Sequence, residues 1–360
     1  MGTVTVANLK PGDKLGDNVL TPLGNILMHK GKVITERDKD ILRAFLVTSV
    51  NVENGFSEIK SAEEQGDGAI PASAAEAPLP SIHQEYNKMV EVLRTIFNSH
   101  VTGQGLPMMD IRSQLESLLH HIESYKILTF VPNPFIERDY ILHNSVLSAM
   151  TSYLIAQWVG LAKKDWMQVA LAGLLKDIGT IRVDRSILLK PDALNPVEKE
   201  EMKKHTVYGY QLLKNAAALN EGVKLSALQH HEKVDGSGYP LGIDSSQIHP
   251  YAKIVGIADI FHAMTLDKAY RKKASPYLVL EQIQSDAFGK LDPAYVRIFV
   301  DKVTRFHHGT VVRLSDNRIG EIVFSDQTHP TRPWVSVDGQ IINLTIDRHL
   351  HITEVVRKQA

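Results

Sequence analysis

Cysteine is absent from this 360-residue sequence. Its absence excludes disulfide bonds, thiolate metal sites and a cysteine nucleophile, which leaves histidine and carboxylate side chains as the strong metal ligands. The 16 histidines are therefore numerous enough to be examined as candidate ligands. Any metal site in this chain must be built from nitrogen and oxygen donors.

The chain also lacks a large net charge and long apolar runs. The 40 lysine and arginine residues are balanced by 41 aspartate and glutamate residues, so no basic surface for a nucleic acid polymer or an anionic membrane is expected. No apolar stretch approaches the roughly 20 residues of a membrane span, and the first ten residues lack the pattern of a signal peptide. The sequence predicts a cytoplasmic protein that holds any nucleotide in a local site.

The N-terminal segment, residues 1–55, has the pattern of a small α+β module. Short β-type runs alternate with glycine and proline turns around one helix. The start of that helix is indicated by Thr35, which can act as the cap, and by Asp38 three residues later. The predicted strands lie at 4–6, 18–20, 26–28 and 50–52.

The rest of the chain divides into four segments by composition and periodicity. Residues 56–80 contain almost no large apolar side chains and are interpreted as a flexible linker. Beyond the linker, apolar residues recur at helical spacing up to about residue 306, and strand patterns follow. The segments are connecting amphipathic helices at 81–136, a helical bundle at 137–306, and a β-rich extension at 307–360 with strands at 310–314, 320–324, 334–337, 341–346 and 352–356.

Aspartate and histidine residues recur at positions that suit a shared metal centre. Asp139 and His143 lie four residues apart on a predicted helix, so both side chains can face one centre. Asp177 and Asp259 each end an apolar run, so that a carboxylate twice closes a predicted core helix. Further candidates in or near predicted helices are His205, His230 and His231.

Nitrogen and oxygen ligands without sulfur suit iron, manganese, zinc or cobalt, and an aspartate can bridge two such ions. Two bridged ions acidify a water molecule and stabilise charge on a phosphate, which is the chemistry of a phosphodiesterase. The same residues also fit helix caps and satisfied core or surface groups. By themselves the residues leave both interpretations open.

The segment 230–240 reads His-His-Glu-Lys-Val-Asp-Gly-Ser-Gly-Tyr-Pro and closely resembles the signature of the HD-GYP family. The resemblance extends over the whole helical region, and the N-terminal module and β-rich tail resemble the flanks of many members. It implies a mainly α fold, with an HD-GYP helical bundle between a small α+β module and a small β extension. The other matching segments are Ile187-Leu-Leu-Lys-Pro191, Met202-Lys-Lys-His205, Ile257-Ala-Asp-Ile-Phe261, Met264-Thr265 and Asp267-Lys-Ala-Tyr-Arg271.

Members of this family are metal-dependent phosphohydrolases that cleave cyclic di-GMP, a bacterial second messenger. The resemblance implies a role in signalling, cyclic di-GMP as the ligand, and one or two divalent ions per chain, with iron or manganese favoured. Asp139 stands where some members place a glutamate that holds a third ion. The implied metal ligands are Asp139, His143, Asp177, His205, His230, His231 and Asp259.

The chain departs from the family at the pair that gives the family its name. Where the family has His-Asp-Ile-Gly-Lys, residues 176–180 read Lys-Asp-Ile-Gly-Thr, which removes one metal ligand and a lysine expected to contact a substrate phosphate. His262 stands where the family usually has aspartate, and Lys268 where it usually has arginine. The candidate catalytic residues are Asp177 and Lys176, and the candidate substrate contacts are Thr180, Tyr239, His262, Lys268 and Arg271.

A charged Lys176 conflicts with an adjacent ion, since an ammonium about 4 Å from a divalent cation is repelled by roughly 8 kcal/mol at an effective dielectric constant of 20. Lys176 could swing into solvent, lose its proton, or replace the first ion beside Asp177 and Asp259. We favour the replacement, in which case one ion should bind better than two. By the family's division of ligands, the first site is left with His143, Asp177 and Asp259, and the second keeps Asp177, His205, His230 and His231.

The glycine-rich loop 235–242 has two compatible interpretations. Its glycines and Pro240 suit a tight turn, and in the family the loop borders the pocket, where Tyr239 can contact a guanine or a partner protein.

Three functions are consistent with the sequence. The retained ligands and loop favour a cyclic di-GMP phosphodiesterase with impaired activity. The altered residues favour a catalytically inactive cyclic di-GMP receptor or protein-interaction module, and a phosphodiesterase for another cyclic nucleotide ranks last. A signalling protein partner bound through the Gly-Tyr-Pro loop and a homodimer are left open.

Overall fold

The computed structural model describes residues 2–6, 9–20, 26–35, 38–39, 42, 47, 49–52, 81–98, 106–133, 135–190, 192–266, 274–305, 309–326 and 328–356. The chain forms two compact units, Met1–Ala77 and Pro78–Ala360. The predicted linker at 56–80 lies outside the described residues. No helix among the described residues is long and apolar enough to cross a membrane.

The first unit contains two pairs of antiparallel strands. Buried Leu9, Leu15, Ile34 and Leu42 belong to its apolar core. In the order of the chain, its strands are β1 (Gly2–Thr5), β2 (Val19–Leu20), β3 (Ile26–Met28) and β4 (Ser49–Val52). β1 pairs with β4, and β2 pairs with β3. The four strands predicted from the sequence are therefore present, one with the predicted bounds and the others with ends shifted by at most two residues.

The predicted start of the helix in this unit is confirmed. The Thr35 backbone N–H donates to Asp38 Oδ2 at 3.0 Å, and the Asp38 backbone N–H donates to Thr35 Oγ1 at 3.3 Å. This exchange satisfies two backbone donors that a helix start leaves without an intrahelical partner. Residues 38, 39 and 42 are helical, whereas the predicted core positions Ile41, Phe45 and Leu46 lie outside the described residues.

The second unit begins with a helical bundle. Its first two helices, α1 (Ile82–Asn98) and α2 (Met108–His120), each bury one apolar face, as the spacing of their apolar residues predicts. Short 3₁₀ turns occur at Glu137–Asp139 and Ile178–Arg182. The remaining helices are α3 (Tyr140–Trp158), α4 (Lys163–Leu175), α5 (Arg185–Leu188), α6 (Pro196–Lys203), α7 (His205–Leu213), α8 (Glu221–Gln229), α9 (Pro250–Thr265), α10 (Pro276–Asp286) and α11 (Pro293–Val303).

The helices α3 and α4 approach closely because a glycine lies at their contact. A Cβ atom at Gly173 would lie 2.8 Å from the Ser148 carbonyl oxygen, so any larger residue there would separate the helices. α3 and α4 both contribute to the main apolar core, through residues such as Val146 and Leu174. This packing fixes the end of α4, which carries Lys176 and Asp177 immediately after its last residue.

A five-stranded antiparallel sheet follows the helices. Its strands alternate buried and more exposed residues, as expected for a sheet with one face on a core. The five predicted strands are all present, although the fourth is shorter than predicted. The strands are β5 (Val311–Leu314), β6 (Ile319–Phe324), β7 (Trp334–Val337), β8 (Gln340–Asn343) and β9 (Ile352–Val355), in the order β8-β7-β6-β5-β9.

One local prediction is wrong. Asp259 was expected to close a core helix after the apolar run 254–258, but α9 continues through Asp259 to Thr265. The apolar run is interrupted because Asp259 pairs with the Lys176 ammonium at mid-helix, and buried apolar residues resume at Phe261. A single carboxylate within an apolar run therefore marked a site and not a helix end.

Candidate metal centre

Four side chains converge in the second unit. The ligand atoms of Asp177, His205, His230 and His231 all lie within 4.8 Å of one another. Asp177 follows α4, His205 is the first residue of α7, and the pair His230-His231 follows the last turn of α8. Residues that are far apart in the sequence therefore meet at the ends of three helices.

A glycine brings two of these residues together. A Cβ atom at Gly179 would lie 1.9 Å from the His205 carbonyl oxygen and 2.3 Å from the Gly209 backbone nitrogen. The 3₁₀ turn Ile178–Arg182 can therefore pack directly on α7 only with glycine at this position. This close approach places Asp177, at the start of the turn, beside His205.

Backbone carbonyls orient two imidazoles of this cluster. His205 Nδ1 donates to the Met202 carbonyl at 2.7 Å, and His230 Nδ1 donates to the Ser226 carbonyl at 3.0 Å. In a neutral imidazole this leaves Nε2 as the unprotonated nitrogen. Both Nε2 atoms therefore present lone pairs to the interior of the cluster.

The spacing of these acceptors fits a metal ion. His205 Nε2 and His230 Nε2 lie 3.4 Å apart, and they lie 3.4 and 3.5 Å from Asp177 Oδ1. A point equidistant from three such corners is about 2.0 Å from each one, within the range of metal bonds to imidazole nitrogen and carboxylate oxygen. Three lone-pair donors facing one point repel one another unless a cation lies between them. The residues present therefore fit a divalent ion.

The protonation state of the imidazoles also favours the binding of a metal ion. Burial lowers the pKa of His205, although the Asp177 carboxylate partly opposes this, and burial also lowers the pKa of His231 well below its ordinary value. Both imidazoles are therefore neutral near pH 7, which is the form that binds metals.

Lys176 lies on the other side of Asp177 and is completely buried. Its ammonium contacts Asp177 Oδ2 and lies 2.8 Å from Asp259 Oδ1. Burial alone would lower the pKa of Lys176, but the two carboxylates outweigh burial and raise that pKa above its ordinary value. Lys176 therefore remains charged at physiological pH.

The two oxygens of Asp177 face different partners. Oδ2 accepts from Lys176, whereas Oδ1 faces the imidazoles of His205 and His230. Burial alone would raise the pKa of the Asp177 carboxyl, but the Lys176 ammonium outweighs burial and holds that pKa well below its usual range. Asp177 is thus an ionised bridge between an ammonium and a group of imidazoles.

Tyr239 covers one side of the imidazole group. Its ring stacks on His231 with the ring centroids 4.7 Å apart, and Lys203 Nζ lies 5.5 Å from the Tyr239 centroid. Burial raises the pKa of Tyr239, and the nearby charges of Asp177 and Asp259 raise it further, so the phenol stays protonated. Tyr239 therefore borders the centre as an aromatic surface.

Glu232 holds the loop that carries Tyr239. Its buried carboxylate accepts hydrogen bonds from the backbone N–H groups of Leu241 at 2.6 Å and Ile243 at 3.3 Å. This role is not predicted from the sequence, although the position of Glu232 directly after the paired histidines is a signal for it. The carboxylate fixes the loop from inside.

Asp139 and His143 do not belong to the four-residue cluster among the described residues. Asp139 accepts from Arg94 at 3.0 Å, and His143 Nδ1 lies 2.8 Å from the Tyr86 hydroxyl and stacks on Phe135 with centroids 3.9 Å apart. The two residues line a separate cavity of about 310 Å³. Burial lowers the pKa of His143 to about 4, an effect that the Asp139 charge opposes.

The candidate substrate residues other than Tyr239 are dispersed. Thr180 is buried and donates to the Asp177 carbonyl at 2.7 Å, where it serves the 3₁₀ turn. His262 lies 2.7 Å from the Thr151 hydroxyl, and burial followed by the Lys176 charge lowers its pKa to about 3. Lys268 and Arg271 lie outside the described residues.

Comparison with known proteins is consistent with this site. Residues 125–295 match the family model described as HD domain. Cyclic di-GMP phosphodiesterase PdeB from Borreliella burgdorferi is 28% identical over 58% of this chain and 56% of that protein. A 3'3'-cGAMP-specific phosphodiesterase from Vibrio cholerae is 30% identical over 57% of this chain and 46% of that protein. The chain therefore spans about half the length of these curated relatives.

A solved structure shares the fold. An HDG"Y"P protein from Bdellovibrio bacteriovorus aligns with a TM-score of 0.50 and 16% identity, covering 83% of this chain and 97% of that chain. At this level of identity the likeness concerns the fold alone. It agrees with the mainly helical architecture predicted from the sequence.

Proposed function

We propose that this chain binds cyclic di-GMP at a one-ion centre and hydrolyses it slowly, because residues 125–295 match the HD domain model and the chain is similar to cyclic dinucleotide phosphodiesterases. The observation that carries the proposal is the position of Lys176. Its buried ammonium lies between Asp177 and Asp259, where it pairs with two carboxylates that would otherwise need another cation. An ion at that position would have to displace a buried, paired charge.

The imidazole side of Asp177 is where an ion is proposed to bind. Asp177 Oδ1, His205 Nε2 and His230 Nε2 would hold it, together with His231 from the same cluster. A divalent ion there supplies electrostatic stabilisation of a phosphate and lowers the pKa of a bound water. The chain's own contribution is to orient the imidazoles through the Met202 and Ser226 carbonyls.

Charge balance supports the binding of an anion. Lys176, Asp177 and Asp259 together carry one net negative charge, and a divalent ion changes this to one net positive charge. A phosphodiester is therefore attracted to the loaded centre. Tyr239, stacked on His231, adds an aromatic surface on which a base can pack.

Impaired hydrolysis follows from the same arrangement. A centre with two ions stabilises both the attacking and the leaving oxygen of the phosphate. Lys176 supplies a single charge, and both Asp177 and Asp259 already engage it. The charge on the transition state is therefore stabilised less than it would be by a second ion.

The metal proposal is tested through Lys176→His. Elemental analysis of anaerobically purified protein should give about one iron or manganese per chain for the wild type and about two for the variant, because the new imidazole replaces a repulsive charge by a ligand. Lys190→His is a matched control, since Lys190 forms an ion pair with Glu198 and neither residue belongs to the ligand cluster, so the loss of this pair should leave metal content unchanged. An unchanged ratio in Lys176→His would refute the displacement of an ion by Lys176.

Turnover separates the remaining functions. Wild-type protein with excess Mn²⁺ or Fe²⁺ should bind cyclic di-GMP in calorimetry and release linear product slowly, and Lys176→His should release it faster. Binding without any product would make the chain a receptor. Turnover of 3'3'-cGAMP with cyclic di-GMP inert would favour the second candidate substrate, which the Vibrio cholerae relative suggests.

A further inference from the structure

Lys203 lies at the edge of the candidate metal centre. It is the last residue of α6, two positions before His205. Its ammonium is 5.5 Å from the Tyr239 ring centroid, and that ring stacks on His231. Tyr239 therefore contacts both a lysine ammonium and one of the candidate ligands.

Lys203 can exchange its present partner at little cost. It forms an ion pair with Glu200 at 2.6 Å, in which the lysine side chain is 41% exposed and the glutamate side chain 70% exposed. Exposed pairs of this kind contribute little to stability. Lys176, in contrast, is completely buried and held by two carboxylates, so it is not free to contact a ligand.

A cyclic dinucleotide carries two phosphodiesters on opposite sides of its ring, and one ion can contact one of them directly. The second phosphate then needs a separate cation. We propose that Lys203 binds this second phosphate beside the Tyr239 ring and so makes the site selective for cyclic dinucleotides over cyclic mononucleotides. This inference rests on the proposed binding of cyclic di-GMP at the Asp177 centre.

The neighbouring lysine provides a matched control. Lys204 also forms an ion pair with a glutamate three residues earlier, Glu201, at 2.6 Å, and its side chain is 55% exposed. Lys203, however, also lies over the Tyr239 ring. Substitution of each lysine by methionine therefore removes the same charge and the same kind of surface ion pair, at adjacent positions.

The experiment measures the Kd of cyclic di-GMP by calorimetry on full-length, metal-loaded wild type, Lys203→Met, Lys204→Met and Lys203→Arg, at low and high salt. Lys203→Met should weaken binding about tenfold at low salt, which corresponds to about 1.4 kcal/mol, and less at high salt. Lys204→Met should leave the Kd unchanged, and Lys203→Arg should restore most of the loss. The Kd of cyclic GMP, which has one phosphodiester, should not change in Lys203→Met.

The outcomes are distinguishable. Equal losses in Lys203→Met and Lys204→Met would overturn the inference, because they would indicate a general effect of surface charge. An equal loss for cyclic GMP would overturn it as well, because it would place Lys203 at the phosphate on the ion. If wild-type protein fails to bind cyclic di-GMP, both the proposed function and this inference fail. If the wild type binds cyclic di-GMP and Lys203→Met leaves the Kd unchanged, the inference fails while the proposed function stands.

Discussion

Lys176 places a full positive charge in a completely buried position, with the carboxylates of Asp177 and Asp259 against it. Taking charges out of water is costly, and this cost is offset here by close pairing. The ammonium and the two carboxylates stabilise one another as long as all three groups are present. Removal of the ammonium would leave two carboxylates facing each other in a buried site.

The first prediction concerns Lys176→Met in the presence of a chelator. The variant should lose about 3–5 kcal/mol in the free energy of unfolding, because buried charges are left without their partner. Urea denaturation at about pH 7 measures the loss. Lys190→Met, which breaks the more exposed pair with Glu198, should cost about 1 kcal/mol or less. Similar losses in both variants would contradict a special role for the buried ammonium.

The same variant has a predicted pH dependence. In the wild type the pKa of Asp177 is held well below its ordinary 3.8, so its contribution to stability is present above about pH 4 and is lost as the pH falls further. The pKa of Lys176 is raised above 10.5, so its contribution is lost only on the alkaline side. Without Lys176, burial raises the pKa of Asp177, so this carboxyl takes up a proton at a higher pH. The loss in the free energy of unfolding of Lys176→Met should therefore become smaller from about pH 7 to about pH 5. A loss of stability in Lys176→Met that stays constant over that pH range would argue against Asp177 as the group that takes up the proton.

The sequence predicts the contacts of a residue best where the interacting groups are close in the chain or where like charges would repel each other. The repulsion expected between an ammonium and an ion left three positions or states open for Lys176, and the favoured one places it beside Asp177 and Asp259, where the structure has it. The contacts of Asp139 and His143 could not be predicted in this way. Their partners Arg94 and Tyr86 are 45 and 57 residues away on α1, and no spacing rule connects them.

At the scale of elements, the loop 232–243 connects the metal centre with its aromatic border. The backbone of this loop passes very close to its own start, since a Cβ atom at Gly238 would lie 2.4 Å from Glu232 Cα and 2.4 Å from the Lys233 nitrogen. The Glu232 carboxylate holds the far side of the loop. Tyr239 is therefore positioned by backbone contacts that tolerate no side chain at 238.

The second prediction tests this arrangement with Gly238→Ala. The added methyl group should displace Tyr239 from His231, destabilise the protein by about 1–3 kcal/mol, and weaken cyclic di-GMP binding more than metal binding. Gly289→Ala is the control, because Gly289 has a left-handed backbone and open space around its Cβ position, so its substitution adds backbone strain but no collision. Calorimetric titration of both variants is the measurement. Unchanged nucleotide affinity in Gly238→Ala would contradict the role of Tyr239.

Elements were predictable from the sequence where periodicity is local. The five strands after residue 309 were found because buried and exposed residues alternate between turn residues, as in β7. The course of α9 was missed at Asp259, because an isolated carboxylate in an apolar helix has the same local appearance as a helix end. Only the partner of that carboxylate, Lys176, explains why it lies within the helix.

At the scale of the whole molecule, the candidate site lies within one of the two units. The four candidate ligands belong to Pro78–Ala360. The buried apolar clusters each draw their described members from a single unit, the cluster around Leu15 from the first and the others from the second. Folding stability in the two units therefore rests on separate cores.

The last prediction follows from this separation. A ligand that binds the folded state alone stabilises the unit that holds it, by about 2.7 kcal/mol at a free concentration of 100 times Kd. Calorimetric unfolding of the full chain should therefore show one transition that moves upward with Mn²⁺ and another that does not. His230→Ala, which removes an orienting contact and a candidate ligand, should abolish the shift while the metal-independent transition keeps its midpoint. A single transition that moves as a whole would show that the units unfold together and that the metal stabilises both.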